Sequence, residues 1–248
     1  MSSFCARFLR ASLFVGLLAL PVLASAQDRV RETRSVASFT EIEYALPGTL
    51  HLRQGDPQSV EIDAPQAVLD KIETTVDGEA LEISDGNESG FFDRFFGDGG
   101  LDTDDIDVYV TAPTINAVSL AGSGRVVGET RIRGASLSLT VAGSGDLELD
   151  LDTEDLSVRV AGSGTSTLQG EATTLDVNIA GSGDLRAADL ATERADVRIA
   201  GSGDAELNVT DRLTAEIIGS GNVRYRGRPT VDTTTLGSGA VRSMNGGP

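Results

Sequence analysis

Few residues in this chain of 248 are of the types that catalyse reactions or bind metals. His51 is the single histidine and Cys5 the single cysteine. A serine nucleophile needs a basic partner, and a structural zinc site needs several Cys or His ligands. His51 stands between Leu50 and Leu52, which is typical of a surface position on a strand. We therefore predict no catalytic residue, no cofactor-binding residue and no metal ligand, and hence no cofactor.

A serine does recur at regular intervals, always inside the tripeptide Gly-Ser-Gly. The seven copies open at Gly122, Gly143, Gly162, Gly181, Gly201, Gly219 and Gly237. The nucleophile motif of serine hydrolases has a different spacing, Gly-x-Ser-x-Gly, at a strand-to-helix turn. We interpret the repeated serine as a structural element whose hydroxyl could form a hydrogen-bond ladder from copy to copy.

An aspartate follows three of the copies and raises the question of calcium. These residues are Asp146, Asp184 and Asp204, and the pattern partly matches the calcium-binding nonapeptide of some β-helices. Calcium takes six to eight oxygen ligands, more than one carboxylate per repeat supplies. The other copies carry Arg125, Thr165, Asn222 and Ala240 at this position. The pattern therefore argues against calcium at the bends.

Two further kinds of site can be weighed from the acidic residues. A weak cation site is a candidate in one acidic run, although no known loop motif matches it. The run consists of Asp98, Asp102, Asp104, Asp105 and Asp107.

Glycoside hydrolysis needs two carboxylates at a set separation, and the sequence alone does not show which two acids lie that far apart. With no Trp and three Tyr, the chain has few aromatic platforms for sugars. We predict that the protein is not an enzyme.

The element that carries the repeat is a β-strand. The opening glycines are 18 to 21 residues apart. Apolar residues alternate with polar ones before each copy, as in Leu156, Val158 and Val160, and such alternation indicates a strand with one buried face. One repeat cannot bury its own apolar face, but stacked copies can. The sequence predicts an all-β, right-handed parallel β-helix, with glycine at each bend because the backbones approach closely there.

The N-terminal half shows the same alternation without the tripeptide. Residues 28–37 are predicted to be a polar lead-in, and strands begin at Phe39. A rung is one complete circuit of the β-helix. We expect residues 34–120 to form irregular rungs that begin and cap the solenoid. Residues 121–244 are expected to form the regular rungs.

An acidic segment rich in glycine and phenylalanine, residues 85–104, interrupts the first half. Four of the eight phenylalanines lie in it: Phe91, Phe92, Phe95 and Phe96. One interpretation is a loop whose rings fold back to cover the side or end of the helix. The alternative is a protruding contact for a partner or for self-association, because soluble proteins rarely expose such clusters without a use.

Residues 1–26 have the features of a secretory signal peptide. Arg7 and Arg10 precede an apolar stretch, and Ala24-Ser25-Ala26 is a cleavage site of small residues. A retained N-terminal anchor is the alternative, but the apolar stretch is short for a membrane span. Cleavage would leave one domain, residues 27–248, that has no cysteine and is not an integral membrane protein. Its 18 cations against 38 acids give a net charge of −20, which disfavours nucleic acid and favours cationic partners.

The whole pattern resembles one family, the putative auto-transporter adhesin, head GIN domain family. The matching stretches are RSVASFTEIEYALPGTLHLRQGDPQSVEIDAP, ETTVDGEALEIS, DVYVTAPTINAVSLAGSG and the run of AGSGD repeats, together covering roughly residues 34–244. The resemblance implies a secreted or envelope-located β-helical domain and no defined activity.

From these observations we expect a non-catalytic, structural or adhesin-like protein that is exported to the periplasm, the cell envelope or the outside of a bacterium. Its partner would be a surface, a protein or a glycan. The alternative is a soluble periplasmic module that binds a ligand or partner in envelope sensing.

Overall fold

The protein is a parallel β-solenoid, as the repeat predicts. The computed structural model describes residues 29–86 and 105–244. It is 74% strand and 2% helix, and its stacked strands make about 7 rungs.

Seventeen strands and one short helix make up the described chain. The N-terminal half contains β1 (Arg29–Arg34), β2 (Glu41–Tyr44), β3 (Thr49–Gln54), β4 (Ser59–Pro65), α1 (Gln66–Leu69), β5 (Glu73–Asp77), β6 (Ala80–Ser84), β7 (Asp107–Ala112), β8 (Ala117–Gly122) and β9 (Arg125–Gly128). The C-terminal half contains β10 (Ile132–Gly143), β11 (Asp146–Gly162), β12 (Thr165–Gly181), β13 (Asp184–Gly201), β14 (Asp204–Gly219), β15 (Asn222–Arg226), β16 (Thr230–Gly237) and β17 (Ala240–Ser243).

The strands pair in two columns that run the length of the solenoid. Column 1 has the order β5, β6, β2, β8, β10, β11, β12, β13, β14 and β16. Column 2 has the order β1, β4, β7, β3, β9, β11, β12, β13, β14, β15 and β17. Strands β11 to β14 belong to both columns because each bends around the solenoid.

The Gly-Ser-Gly bends stack along one edge, in register from rung to rung. Gly162 pairs with Gly143 on one side and with Gly181 on the other. Gly181 has φ +119°, and a Cβ there would lie 2.5 Å from the carbonyl oxygen of Gly162. Only glycine combines that conformation with so close an approach.

The ladder at the bends is formed by the backbone and not by serine hydroxyls. The N–H of Ser182 donates to the carbonyl of Gly162 at 2.8 Å, and Ser163 and Ser220 make the equivalent bond at the same distance. The side chains of these serines are exposed. The expected hydroxyl ladder is therefore wrong, because the bend turns the serine side chain outward while its N–H faces the preceding rung.

The alternating residues fill a continuous core between the two columns. Leu147, Val158, Ile179 and Leu207 are each at most 1% exposed, which confirms their predicted inward orientation. The apolar residues predicted to begin the N-terminal strands, from Phe39 onward, are buried in the same core.

The N-terminal rungs do not stack in chain order. Strand β2 pairs with β6 and β8, and β3 pairs with β7 and β9. The rung made by β2 and β3 therefore lies between two rungs that come later in the sequence. Strands β1, β4 and β5 pair antiparallel with their neighbours at this end of the solenoid.

The predicted polar lead-in is in fact an edge strand. Residues 29–34 form β1, whose arginines ion-pair with acids of neighbouring strands. Arg29 donates to Asp63 at 2.9 Å, and this hydrogen bond holds the pKa of the Asp63 carboxyl below its usual range. Polar composition misled the prediction because β1 lies on the outside and makes its bonds through backbone and charge.

Candidate ligand-binding groove

A groove runs along the outside of the solenoid at the corner where the chain enters column 1. Its volume is about 480 Å³, which is within the range of ligand sites. It extends from Asn116, just before β8, across β10 to β14. Because successive rungs lie about 4.8 Å apart, the groove is about 24 Å long.

Three rows of side chains line the groove, and each row is one position of the repeat. The outer row holds Ser136, Asp155, Thr174, Arg194 and Arg212. The floor holds Leu137, Leu156, Leu175 and Ala195, which are nearly buried. The inner row holds Ser138, Ser157, Asp176 and Asp196. Because the floor residues point into the core, the two polar rows form most of the surface that a ligand would meet.

Some of the polar groups in the groove are already used. The Thr174 hydroxyl donates to the Asp155 carboxylate, and Arg198 lies 3.4 Å from Asp176. These side chains therefore already have partners within the protein.

Other groups in the groove are available to a ligand. Within residues 29–86 and 105–244, the side chains of Asp196 and Arg212 make no hydrogen bond or ion pair. They lie on neighbouring strands, one acidic and one basic, at the C-terminal end of the groove. This end can therefore accept a hydrogen bond and donate several at once.

A second groove of about 410 Å³ lies on the other side of the same corner. It is lined by threonines and by Asp152, Glu154, Glu171 and Glu193. The hydroxyls of Thr153 and Thr192 bond to nearby backbone carbonyls. In the described part of the chain, no cluster of three or more His, Cys, Asp or Glu could hold a metal ion.

His51 lies in a mixed cluster on the outside of column 2. Its ring stacks on Tyr109 with centroids 4.6 Å apart, and Arg31 covers that tyrosine at 4.4 Å. His51 Nε2 is 3.1 Å from Asp107, and Nδ1 is 3.6 Å from Glu129. Both ring nitrogens therefore face carboxylates, and the contacts join the antiparallel end to the parallel rungs. This agrees with a surface strand position for His51.

The aspartates after the Gly-Ser-Gly bends bond to neighbouring rungs, two of them through backbone N–H groups. Asp184 Oδ1 accepts the N–H of Asp204 at 3.1 Å, and Asp204 Oδ1 accepts the N–H of Asn222 at 2.9 Å. Asp146 lies 2.9 Å from Arg125 in an ion pair. Each carboxylate thus bonds to a neighbouring rung.

Several predicted features lie outside the described residues. They are the signal peptide, the four phenylalanines Phe91, Phe92, Phe95 and Phe96, and the acids Asp98, Asp102 and Asp104. Both interpretations of the four phenylalanines, as a cover for the side or end of the helix and as a contact for a partner, therefore stay predictions. The remaining acids of that run, Asp105 and Asp107, both ion-pair with Arg29.

Sequence reasoning did not identify the groove, although the repeat contained its signal. The two polar rows flank the first inward residue of column 1 in each rung, as Asp155 and Ser157 flank Leu156. The two rows line one groove only because of the angle at which the chain bends at the corner. The alternation of apolar and polar residues does not specify that angle.

No helix among the described residues is both long enough and apolar enough to cross a membrane.

The sequence of residues 38–229 matches the family described as putative auto-transporter adhesin, head GIN domain. No protein with a curated description matches the sequence.

Solved structures share the fold. A putative adhesin from Bacteroides fragilis aligns with a TM-score of 0.80 at 22% identity, covering 88% of this chain and 98% of its own. A putative lipid binding protein from Parabacteroides distasonis aligns with a TM-score of 0.72 at 23% identity, covering 89% of this chain and 98% of its own. A putative adhesin from the same species aligns with a TM-score of 0.70 at 24% identity, covering 88% and 98%.

Proposed function

This chain belongs to the putative auto-transporter adhesin, head GIN domain family, and we propose that it is an exported, non-catalytic protein that attaches to an extended glycan. The observation that carries the proposal is the groove of about 480 Å³ that follows the solenoid axis from Asn116 to Arg212. A groove whose side chains repeat once per rung fits a ligand that is itself a repeating chain.

The chemistry of the groove favours a hydroxylated ligand. Serine, threonine and aspartate oxygens accept hydrogen bonds from hydroxyls, and the guanidinium of Arg212 donates to hydroxyl oxygens. The floor residues Leu137, Leu156 and Leu175 are only 2–3% exposed, so the hydrogen-bonding rows on either side of them carry the proposal.

The absence of a catalytic arrangement in the described residues supports a binding role. His51 contacts Asp107, Glu129 and Tyr109, and no hydrogen bond joins it to a serine or cysteine there. An enzyme of acyl transfer would need such a nucleophile beside the base.

The groove is tested by measuring binding of the mature protein to an array of purified bacterial surface polysaccharides, with extended peptides on the same array. We expect glycan binding, and we expect Asp196→Ala/Arg212→Ala to weaken it at least tenfold, since hydrogen bonds to charged groups contribute about 1.5–3 kcal/mol each. The matched control is Glu216→Ala/Arg186→Ala, which removes one acid and one arginine from exposed positions outside the groove.

Equal binding by wild type and groove variant would overturn the groove as the site. Binding only to peptides would overturn the glycan as ligand.

The second part of the proposal is that the protein is exported from the cytoplasm. The features of residues 1–26 support export, and the net charge of −20 after cleavage supports a soluble exported form. Cell fractionation with antibody labelling of intact cells tests it. Labelling of intact cells is the outcome expected for an adhesin. Protein confined to the periplasm would favour the sensing module instead, and protein that keeps its leader in the cytoplasm would contradict export.

A further inference from the structure

Two arginines lie side by side at the C-terminal end of the groove. Arg194 on β13 and Arg212 on β14 are opposite each other in register, and both line the groove in its outer row. Neighbouring strands are about 4.8 Å apart, so the two side chains leave adjacent rungs on the same face of the sheet. Like charges directly opposite each other destabilise a sheet. A bound anion in contact with both guanidinium groups would remove this repulsion.

At other positions of the regular rungs, an acid lies opposite an arginine. Arg125 is in register with Asp146 and ion-pairs with it at 2.9 Å. Arg133 is in register with Asp152 and lies 3.4 Å from it. The chain has 38 acidic residues against 20 basic ones, so such pairs are easily formed. Two arginines in register depart from this arrangement.

A second pair of arginines in register has the acids that the first pair lacks. Arg224 on β15 is opposite Arg242 on β17. Arg224 lies 2.9 Å from Glu206 and 3.4 Å from Asp204. Two carboxylates of the protein itself therefore offset the charge of this second pair.

The pair in the groove has little such compensation. Within residues 29–86 and 105–244, Arg212 makes no hydrogen bond or ion pair. Arg194 has one long contact, 3.4 Å to Glu193, and that acid lines the second groove. Of the acids in the first groove, Asp155 accepts the Thr174 hydroxyl and Asp176 lies beside Arg198. Most of the N–H donors of the arginine pair are thus available to a ligand.

We propose that Arg194 and Arg212 together bind an acidic group, a carboxylate or a sulfate, of the glycan in the groove. The inference rests on the proposed function, since it names the class of glycan, an acidic polysaccharide. A guanidinium group presents parallel N–H donors that match the oxygens of an oxyanion, and the two groups reach it from adjacent rungs. Asp196, in the inner row, accepts hydrogen bonds from hydroxyls of the same bound chain.

Pairs of polysaccharides that differ in charge test the proposal. Polygalacturonate is compared with its methyl ester, and dextran sulfate with dextran, by biolayer interferometry on the mature protein. We expect the wild type to bind at least one acidic polymer about tenfold more tightly than its neutral counterpart, and added salt to weaken that binding. Preference for polygalacturonate alone would identify the group as a carboxylate, and preference for dextran sulfate alone as a sulfate.

Substitutions of the arginine pair should remove this preference. Arg194→Gln/Arg212→Gln should bind the acidic and neutral polymers alike, because it keeps polar side chains but loses both charges. Arg194→Lys/Arg212→Lys should retain part of the preference, because it keeps the charges and loses the planar donors. The matched control is Arg186→Gln/Arg242→Gln, which makes the same change in net charge at exposed positions of column 2 and should bind like wild type. Circular dichroism melting verifies that each variant is folded.

The outcomes separate this inference from the proposed function. A wild type that binds acidic and neutral counterparts equally would overturn the acidic group and leave the groove as a glycan site. So would a wild type that binds other glycans of the array but neither acidic polymer. A preference that persists in the folded glutamine variant, or that is lost equally in the control, would overturn the assignment to this arginine pair. A wild type that binds no glycan in either experiment would overturn the proposed function as well.

Discussion

A single hydroxyl shows how strictly the core selects its residues. Ser166 occupies an inward position of β12 that pairs in register with Leu147 and Leu185. It is 0% exposed, and its Oγ has no hydrogen-bond partner among the described residues. A buried unsatisfied polar group costs about 1–3 kcal/mol. The serine therefore lowers the stability of a rung whose other inward residues are apolar or small.

We predict that Ser166→Ala stabilises the protein by about 1 kcal/mol, because it removes the unpaired hydroxyl and leaves the volume almost unchanged. Denaturant unfolding of the two proteins measures the change in free energy. Ser163→Ala, at an exposed bend, is the control and should change stability by only a few tenths of a kcal/mol. Loss of stability in Ser166→Ala would mean that the hydroxyl has a partner after all.

At the scale of the element, the bend determines how rungs meet. Its glycine has two separate reasons to be glycine, a positive φ and the contact with the preceding rung. The first bend has only one of them. Gly122 has φ +92°, and a Cβ there would meet nothing within 4 Å, because no Gly-Ser-Gly bend precedes it. Comparison of Gly122 with Gly181 therefore separates backbone strain from crowding.

We predict that Gly122→Ala costs about 1–3 kcal/mol, the usual cost of a strained backbone conformation. Gly181→Ala should cost distinctly more, since its Cβ would also overlap the carbonyl oxygen of Gly162 at 2.5 Å. Denaturant unfolding of the two variants gives both values. Equal losses in the two variants would show that the rungs are not in contact at the bend.

At the scale of the whole molecule, stability comes from stacking. Each rung contacts only its neighbours, so a solenoid gains stability from nearest-neighbour interfaces. The core is one continuous cluster from Phe39 to Val223. A charge placed in the middle of it would interrupt contacts on both sides at once.

We predict that Val158→Asp destabilises the protein by several kcal/mol, because it buries an unpaired carboxylate at a position that is 0% exposed. The adjacent change Arg159→Asp places the same side chain on the outside and should have a small effect. Thermal unfolding followed by circular dichroism compares them. An unchanged melting temperature for Val158→Asp would contradict the inward orientation of that row.

The sequence by itself determined the regular part of the fold. The period, the alternation and the recurring glycine are local properties, and parallel stacking of equal repeats is the arrangement that buries their apolar faces. For the same reason Leu147, Val158 and Ile179 could be assigned to the core before the structure was known. Composition likewise carries the prediction that the protein has no catalytic residue, since the chain has a single histidine.

Only the tertiary structure decided the features that depend on contacts between distant segments. It placed the rung of β2 and β3 between later rungs, made a strand of residues 29–34, directed Asp184 and Asp204 to backbone N–H groups, and brought two polar rows to one groove. In the irregular half no repeat links the segments, so several pairings bury the same apolar residues. The choice among them depends on the free energy of the whole packed assembly, which no local pattern contains.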